Sequence, residues 1–599
     1  MCGIYGYVGP LSGRLDLTNL GHRGPDSEGF KEYPVSETQK IILGHTRLAI
    51  QGLEGDSGSQ PMVSSCGRYT LVFNGEIFNN SQIKKYLIEN KVPVNLENGS
   101  DTYLLLELLI FDGISSLNLI NGMWAFFFWD NVSGTGIAAR DRYGEKPFYY
   151  KLSDGIFEFA SEIKQLQPDL IENRQTFITL NNIQLINSQE NERETLFKNI
   201  FRLKPGECLS YHKGQILTER WYDPLNNIVQ HGSKSYEVLK GEWKELFLDS
   251  VDIRLSSEVP FTATMSSGLD SNSIIAAMML SKQYKEEINI FTSDLSGAEN
   301  DEMDKVKKWS KLLNLRLNVV DNSIIDQSLI EAIRVVEDPY YQIPIPMLNL
   351  YKKISDFGYK VVLDGHGADE QLIGYGHIGY LINDSADINE MIEYERIYAE
   401  STGKRYILNK KRAYKRWLII KLKKSIKNLV HVFRQIDPLD CYFSSRFDYE
   451  LFKLTHFTIM PTLLRNYDKY SMNSGVEVRS PFVDHRLVNF NMGLSYKHKL
   501  NNGYTKSIVR DSMRGSMSNE ILDNKVKVGW NAPLENWLKT SFKDEIDDVL
   551  NSKTFSDYEG IADTIKKWQK FKSINPDYRE AMDLYRAIYP YLFIYAMRG

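Results

Sequence analysis

At 599 residues and 69.2 kDa, the chain is longer than one hydrophobic core supports, so at least two domains are expected. With 42% apolar and 25% charged residues and a formal net charge of -5, it has the composition of a globular protein and no basic excess that would make nucleic acid a main partner. Cys2, Cys66, Cys208 and Cys441 lie far apart without CxxC spacing, which argues against a zinc site or a disulfide scaffold and fits a reducing, cytoplasmic setting. No basic n-region opens the chain, and apolar stretches such as YLLLELLIF (103–111) are too short to cross a bilayer. No transmembrane segment is expected.

The first two hundred residues alternate short apolar runs with Gly, Asp and Asn: YTLVFNGEIFN (69–79), MWAFFFWD (123–130), GIAARD (136–141) and PFYYKLSDGIFEFAS (147–161). Such runs read as strands. NSQIKKYLIENK (80–91) and DTYLLLELLIFDG (101–113) carry helical periodicity, giving an α+β domain over 2–215 with stacked sheets and packed helices. RLKPGECLSYHKGQI (202–216) is still strand-like. YDPLNNIVQHGSKS (222–235) is rich in turn formers, so 216–235 reads as a linker.

From Tyr236 to the end at 599, helical patterns alternate with the short strands VPFTATMSS (259–267), INIFTSDL (288–295), LNVVD (317–321) and KVVLDG (360–365). That alternation implies a parallel sheet and an α/β domain. The part after about 380 is largely helical, with a basic helical insertion at about 380–450. Its segment KRYILNKKRAYKRWLIIKLKKSIKNLVHVFR (404–434) reads first as a helix with a solvated basic face, and second as an amphipathic helix touching an anionic membrane surface or a lipid-linked substrate.

MCGIYGYVGP places a cysteine at position 2, with glycines at 3, 6 and 9 that would let backbone pass close to a substrate. A thiol of pKa about 8.5 needs activation to act as a nucleophile. Removal of Met1 would free an α-amine of pKa about 7.7–8.0 on the same carbon, able to serve as general base. HRGPD (22–26), LGHTRLAI (43–50), SQPM (59–62), FNGEIFN (73–79), GSDT (99–102) and ARDRYGEKPFYY (139–150) follow in order. With them the N-terminal part resembles the class II glutamine amidotransferase domain, an N-terminal nucleophile-type glutaminase, of asparagine synthetases. The resemblance implies that Cys2 attacks the glutamine amide, that Asn74 and the Gly75 N–H form the oxyanion hole, that Arg47 holds the glutamine α-carboxylate, and that Glu76 and Asp101 hold its α-amino group.

MSSGLDSNS (265–273) follows a predicted strand and opens a helix, a position that favours phosphate, yet no Walker A pattern occurs. It is similar to the SGGxDS pyrophosphate loop, with Ser267 in place of the first glycine. VVLDGHGADEQLIGY (361–375), LLRNYDKYSMNSGVEVRSPFVDHRL (463–487), YTKSIVR (504–510) and, more loosely, KVGWNAPLENWL (527–538) extend the likeness to the asparagine synthetase family. The family likeness implies that Ser266, Ser267, Gly268, Asp270 and Ser271 cradle pyrophosphate, that Asp270 and Asp369 hold Mg²⁺, that Met265 and Ser293 line the adenine site, that Asp364 and Gly365 approach the nucleotide, and that Lys506 contacts pyrophosphate. GYGHIG (374–379) also satisfies G-x-G-x-x-G, but without the preceding strand and the later acidic residue of a dinucleotide site.

Where the family has glutamate in GEGADE, this chain has His366 in GHGADE. Histidine can accept a proton from ammonium at neutral pH but supplies no fixed negative charge for an acceptor's amine. The expected activity is glutamine-dependent, ATP-consuming amide synthesis, with aspartate as acceptor and a sugar uronic acid of surface polysaccharide as the alternative. A pure glutaminase and an inactive interaction protein are the readings from other classes. Substrates are glutamine, ATP and a carboxylate, without nucleic acid; the resemblance implies a homodimer.

Overall fold

The computed structural model describes residues 2–598 apart from 54, 56, 96–97, 285–288, 296–301, 375, 386, 432–441, 444, 528–531 and 559; the side chains of 424–431 are also outside the description. Met1, Cys441 and parts of the 404–434 and 527–538 segments therefore lie outside the described residues.

The N-terminal part stacks two six-stranded antiparallel sheets. In one, Cys2–Pro10 pairs with Gln39–Arg47 and with Ile156–Ala160. In the other, Tyr69–Ile77 lies against Gly122–Asp130, which pairs in turn with Thr135–Arg140. Alternation decides the layers: Ile4 and Val8 join Val72, Phe127 and Phe159 in the core between the sheets, whereas Tyr5 and Tyr7 point to the other face and join a second core with the C-terminal helices. Both faces of the first strand are thus buried, which is why its sequence shows no polar alternation.

The glycines of that strand serve packing within the protein. A Cβ at Gly6 would lie 2.0 Å from the Phe159 ring and one at Gly3 would lie 2.6 Å from Thr46 Oγ1. The expectation that they make room for substrate is corrected accordingly.

The helices Asn80–Glu89 and Asp101–Asp112 cover the outer face of the second sheet through Ile83, Leu87, Leu104, Leu105 and Leu108. Among the described residues, Asp101–Leu119 is apolar and long enough by composition to cross a membrane. Its α-helical part has 12 residues, about 18 Å of rise against a hydrocarbon core of about 30 Å, and its leucines are packed against the sheet.

The strand Gln215–Arg220 pairs with Glu207–His212, so the second sheet runs through the boundary expected at 215 and the connection begins only after it. Ser235 then caps the helix Tyr236–Arg254 by accepting from Val238 N–H.

The second part holds a five-stranded, all-parallel sheet in the order Arg316–Asp321, Asn289–Asp294, Phe261–Thr264, Val361–Leu363, Glu477–Arg479. The four strands expected from sequence are present; the fifth, three residues long, was not anticipated. Chain order reverses between Phe261–Thr264 and Val361–Leu363. In such sheets the loops leaving the carboxyl ends at the reversal open a crevice for a ligand.

After residue 380 the described elements are mainly helices, among them Ile388–Ser401, Lys410–His431, Ile459–Met472 and Tyr578–Arg598. GYGHIG follows the short helix Ala368–Gln371 and enters the helix Ile378–Asp384, so it lacks the strand-to-helix turn of a dinucleotide loop.

Candidate active sites

The first site is a pocket lined by Cys2, Arg47, Gly75, Glu76 and Asp101, with Gln51, Gln60 and Thr102. All five residues expected to act on glutamine other than Asn74 line it, and Asn74 is one hydrogen bond away: the Cys2 N–H donates to Asn74 Oδ1 at 3.1 Å. Asn74 is fully buried, and its Nδ2 has no hydrogen-bond partner among the described residues. A buried amide donor left open beside a thiol is costly unless something fills it. Burial pushes the Cys2 thiol up, so it rests protonated and needs a base.

Gly75 has a packing reason of its own, since a Cβ there would lie 2.3 Å from the Met123 carbonyl on the neighbouring strand. Arg47 donates to the carbonyls of Gln51 and Gly52 at 3.1 and 2.7 Å. Asp101 begins its helix and accepts from the N–H groups of Ile77 and Thr102 at 3.1 and 2.7 Å. Burial nevertheless raises its pKa to about 6. Glu76 is also raised, by burial first, despite the Arg479 guanidinium 3.3 Å away and a hydrogen bond from Gln51. Three buried carboxylates, Glu76, Asp101 and Glu477, gather around the Arg479 guanidinium here, so this side of the pocket is short of positive charge.

The second site is a cavity of about 570 Å³ at the reversal of the parallel sheet. Met265, Ser266, Asp270, Ser271, Ser293, Asp364, Gly365, His366 and Asp369 line it. Ser267 and Gly268 belong to the same loop, in which Gly268 N–H donates to Ser266 Oγ and Ser267 N–H to Glu302, at 3.1 and 2.9 Å. Thus a carboxylate occupies a donor of a loop suited to anions. Gly365 permits the close approach of the two signature loops: a Cβ there would lie 3.1 Å from both Asp270 Cβ and Ser271 N.

Lys506 sits in the left-handed region at φ 53°, a strain of about 1–3 kcal/mol that surrounding structure must hold. Its Nζ lies 2.5 Å from both Asp270 and Asp369, and Lys527 Nζ lies 3.0 Å from Asp369. Asp369 is thereby held well below the usual carboxylate range against its burial. Asp270 Oδ1 is buried without a hydrogen-bond partner among the described residues. One orphaned carboxylate oxygen beside a second carboxylate and a phosphate loop suits a Mg²⁺ ion, which takes one or two carboxylates and completes its shell with phosphate and water.

His366 packs on Tyr467 at 3.7 Å between ring centroids, and its Nδ1 lies 3.4 Å from Asp364. Burial lowers its pKa despite that carboxylate, which leaves a neutral imidazole at neutral pH. The far wall of the cavity includes Tyr340, Tyr341, Tyr578 and Arg586.

The two sites are joined by buried charge that sequence reasoning missed. Arg23, fully buried, donates to the Cys2 carbonyl at 3.1 Å and pairs with Glu162 and with Asp468 of the second part at 2.9 and 3.0 Å. Arg479, on the fifth strand, spans from Glu477 to Glu76, while its carbonyl accepts from Asp364 N–H at 3.0 Å. Arg23 lies in HRGPD and Arg479 in the segment 463–487, but nothing local in sequence says what a guanidinium reaches across a domain interface. Lys527 lay in the loosely matched segment and Glu302 in none.

A family profile described as asparagine synthase matches residues 242–582, and one described as glutamine amidotransferase domain matches residues 1–222. The chain is similar to glutamine-hydrolyzing asparagine synthetase 3 of Bacillus subtilis (strain 168), 28% identical over 594 residues with 92% of this chain and 91% of that protein covered. It is also similar to asparagine synthetase 1 of the same organism, at 24% over 92% and 90%. Amidase chyE of Penicillium rubens is 29% identical over 61% of this chain and 55% of its own. With one profile spanning more than half of the chain and the other filling most of the remainder, the protein belongs to the asparagine synthase family of ligases and carries a glutamine amidotransferase domain ahead of its synthase part.

Proposed function

We propose that this enzyme of glutamine-dependent amide synthesis amidates the side-chain carboxylate of aspartate, working in a reducing, cytoplasmic setting where Cys2 stays a thiol. The observation that carries the reading is the meeting of both signature loops, with Lys506 and Lys527, around one cavity at the sheet reversal.

In the glutamine pocket the Cys2 sulfur attacks the carboxamide carbon. Its own α-amine, once Met1 is removed, takes the thiol proton and returns it to the leaving ammonia. Asn74 Nδ2 and the Gly75 N–H receive the negative charge that develops on oxygen, a contribution of about 3–4 kcal/mol to the barrier for one such donor. The α-ammonium of glutamine supplies the positive charge missing among Glu76, Asp101 and Glu477, and Arg47 holds its carboxylate. Water then hydrolyses the thioester to glutamate.

In the cavity the acceptor carboxylate attacks the α-phosphorus of ATP, giving an acyl-adenylate and pyrophosphate. Ser266, Ser267, Gly268, Ser271 and the two lysines bind the departing phosphates, with Met265 and Ser293 against the adenine. Mg²⁺, held by Asp270 and Asp369, would neutralise phosphate charge when bound. Ammonia passing between the domains attacks the acyl carbon, AMP leaves, and neutral His366 takes a proton from the incoming nitrogen.

A second reading is favoured by two features, the neutral His366 and the tyrosine-lined far wall with Arg586, which suit a ring-bearing acid such as a sugar uronic acid better than an α-ammonium. Pyrophosphate release with ATP, Mg²⁺ and glutamine, measured with L-aspartate and with a panel of uronic acids, separates them. Release with aspartate accompanied by asparagine supports the first; release only with a uronic acid overturns it.

A further inference from the structure

Between Glu400 and Asp437 the chain has no Asp or Glu, and this acid-free stretch contains the helix Lys410–His431. Ala413 is buried, and Trp417 and Ile420 are partly buried against the core formed with the helices Ile388–Ser401 and Arg446–His456. Positions 413, 417 and 420 lie on one stripe of a 3.6-residue helix. That stripe is the side docked on the protein, and Arg416 reinforces it by pairing with Glu395 at 2.8 Å.

The opposite stripe, at 411, 415, 418 and 422, is Lys, Lys, Leu, Leu, and all four are exposed. Leu418 is 40% and Leu422 62% exposed, with Tyr414 at 54% and Ile419 at 42% on its flanks. Just before the helix Ile407 is 78% exposed. A solvated basic face does not explain these side chains: a charge run needs no large apolar residues standing in water, and grouped apolar exposure marks an interaction surface. Apolar side chains interleaved with lysines whose stems can lie along an apolar surface are the pattern of a helix seated in a lipid interface.

We propose that the outer face of the helix Lys410–His431 is a docking surface for an anionic lipid bilayer, with Leu418, Leu422 and Tyr414 entering the headgroup region and Lys411 and Lys415 meeting lipid phosphates. The charge decides the occupant. A second copy of this face would bring like charges together without a carboxylate to oppose them, whereas an anionic leaflet attracts each lysine. Nucleic acid would satisfy the lysines but gives no reason for the leucines.

The position of the helix adds a consequence. The preceding helix ends at Ser401, whose carbonyl accepts from Lys527 N–H at 2.8 Å, and Lys525 pairs with Glu400 at 2.8 Å. The membrane-facing subdomain therefore abuts the segment whose Lys527 reaches the signature carboxylate Asp369.

Flotation of the full chain with phosphatidylcholine vesicles, with and without phosphatidylglycerol, tests this. The intact protein should float with the anionic vesicles and stay in the soluble fraction with neutral ones. Leu418→Glu with Leu422→Glu, and separately Lys411→Glu with Lys415→Glu, should each lower the bound fraction at least tenfold, with glutamine hydrolysis unchanged as the folding control. No flotation of the intact protein, or flotation indifferent to both double variants, overturns the proposal. So does a fall in oligomeric size caused by Leu418→Glu with Leu422→Glu, which assigns the face to a second copy, and so does binding of single-stranded RNA that survives loss of the leucines and competes with vesicles.

Discussion

The glutamine pocket and the nucleotide cavity are both built from buried charge, but they are closed by opposite means. In the pocket, Glu76, Asp101 and Glu477 outnumber Arg479, and burial lifts the first two carboxyls. In the cavity, Lys506 and Lys527 already match Asp270 and Asp369, and Asp369 is held below its usual range. The pocket waits for a cation and the cavity for an anion with its own counter-ion. An uncompensated buried charge gains more from its ligand than a compensated one, since the ligand relieves a penalty the protein already bears. On the proposed function the first site would gain most from glutamine's ammonium, while the second would exchange internal ion pairs and the Glu302 contact for phosphate.

The sharpest separation comes from Cys2→Ala. Loss of the nucleophile should lower glutamine hydrolysis at least about a thousandfold, while amide formation driven by added ammonium salt continues at close to its normal rate. Product formation from each nitrogen source checks this; parallel loss of both would make the two sites one functional unit.

Arg479→Met leaves Glu76 and Glu477 buried without their shared cation, at a cost of about 3–5 kcal/mol. Chemical denaturation should show that loss, and saturating glutamine should recover part of it by supplying positive charge to Glu76. Lysine at the same position should retain more stability than methionine.

Lys506→Met strikes the paired carboxylates of the cavity. Asp270 and Asp369 would then share only Lys527, and pyrophosphate production should fall about a hundredfold, the scale of a misplaced reacting group. Glutaminase activity measured as glutamate release is expected to stay within about twofold, so the lesion stays in one site.

The smallest effect is in pH dependence. Asp101 has its pKa raised to about 6, so below that pH it carries a proton and offers no charge to the α-ammonium. Since kcat/KM reports the free enzyme, its value for glutamine should drop about tenfold per unit below pH 6. Asp101→Asn lowers the plateau and removes that titration; an unchanged acid limb would assign it to another group.

Much of the architecture was legible because it depends on local pattern. Four of the parallel strands carry short apolar runs between helices, and the hairpin strands of the first part are punctuated by Gly, Asp and Asn. The fifth strand, Glu477–Arg479, escaped because a three-residue strand with two charged side chains has no apolar signature, and its charges make sense only where they are buried against Glu76. The boundary at 215 was early for a related reason: QILTER is half-exposed and polar on an edge strand, so composition reads it as linker.

By itself the sequence determined the chemistry of each loop: a cysteine at position 2, an amide in FNGE, serines and an aspartate after a strand, and histidine where the family has glutamate. These follow from residue types at fixed short spacings, which a chain carries whatever its fold. Only the tertiary structure decided which charges balance one another. Arg479 meets Glu76, Lys527 meets Asp369 and Arg23 meets Asp468 from positions far apart in the chain, and the energy of a buried charge depends on what surrounds it. The same holds for the helix Lys410–His431, where the sequence supplied cations and leucines together and the packing of Ala413, Trp417 and Ile420 determined which of them face outward.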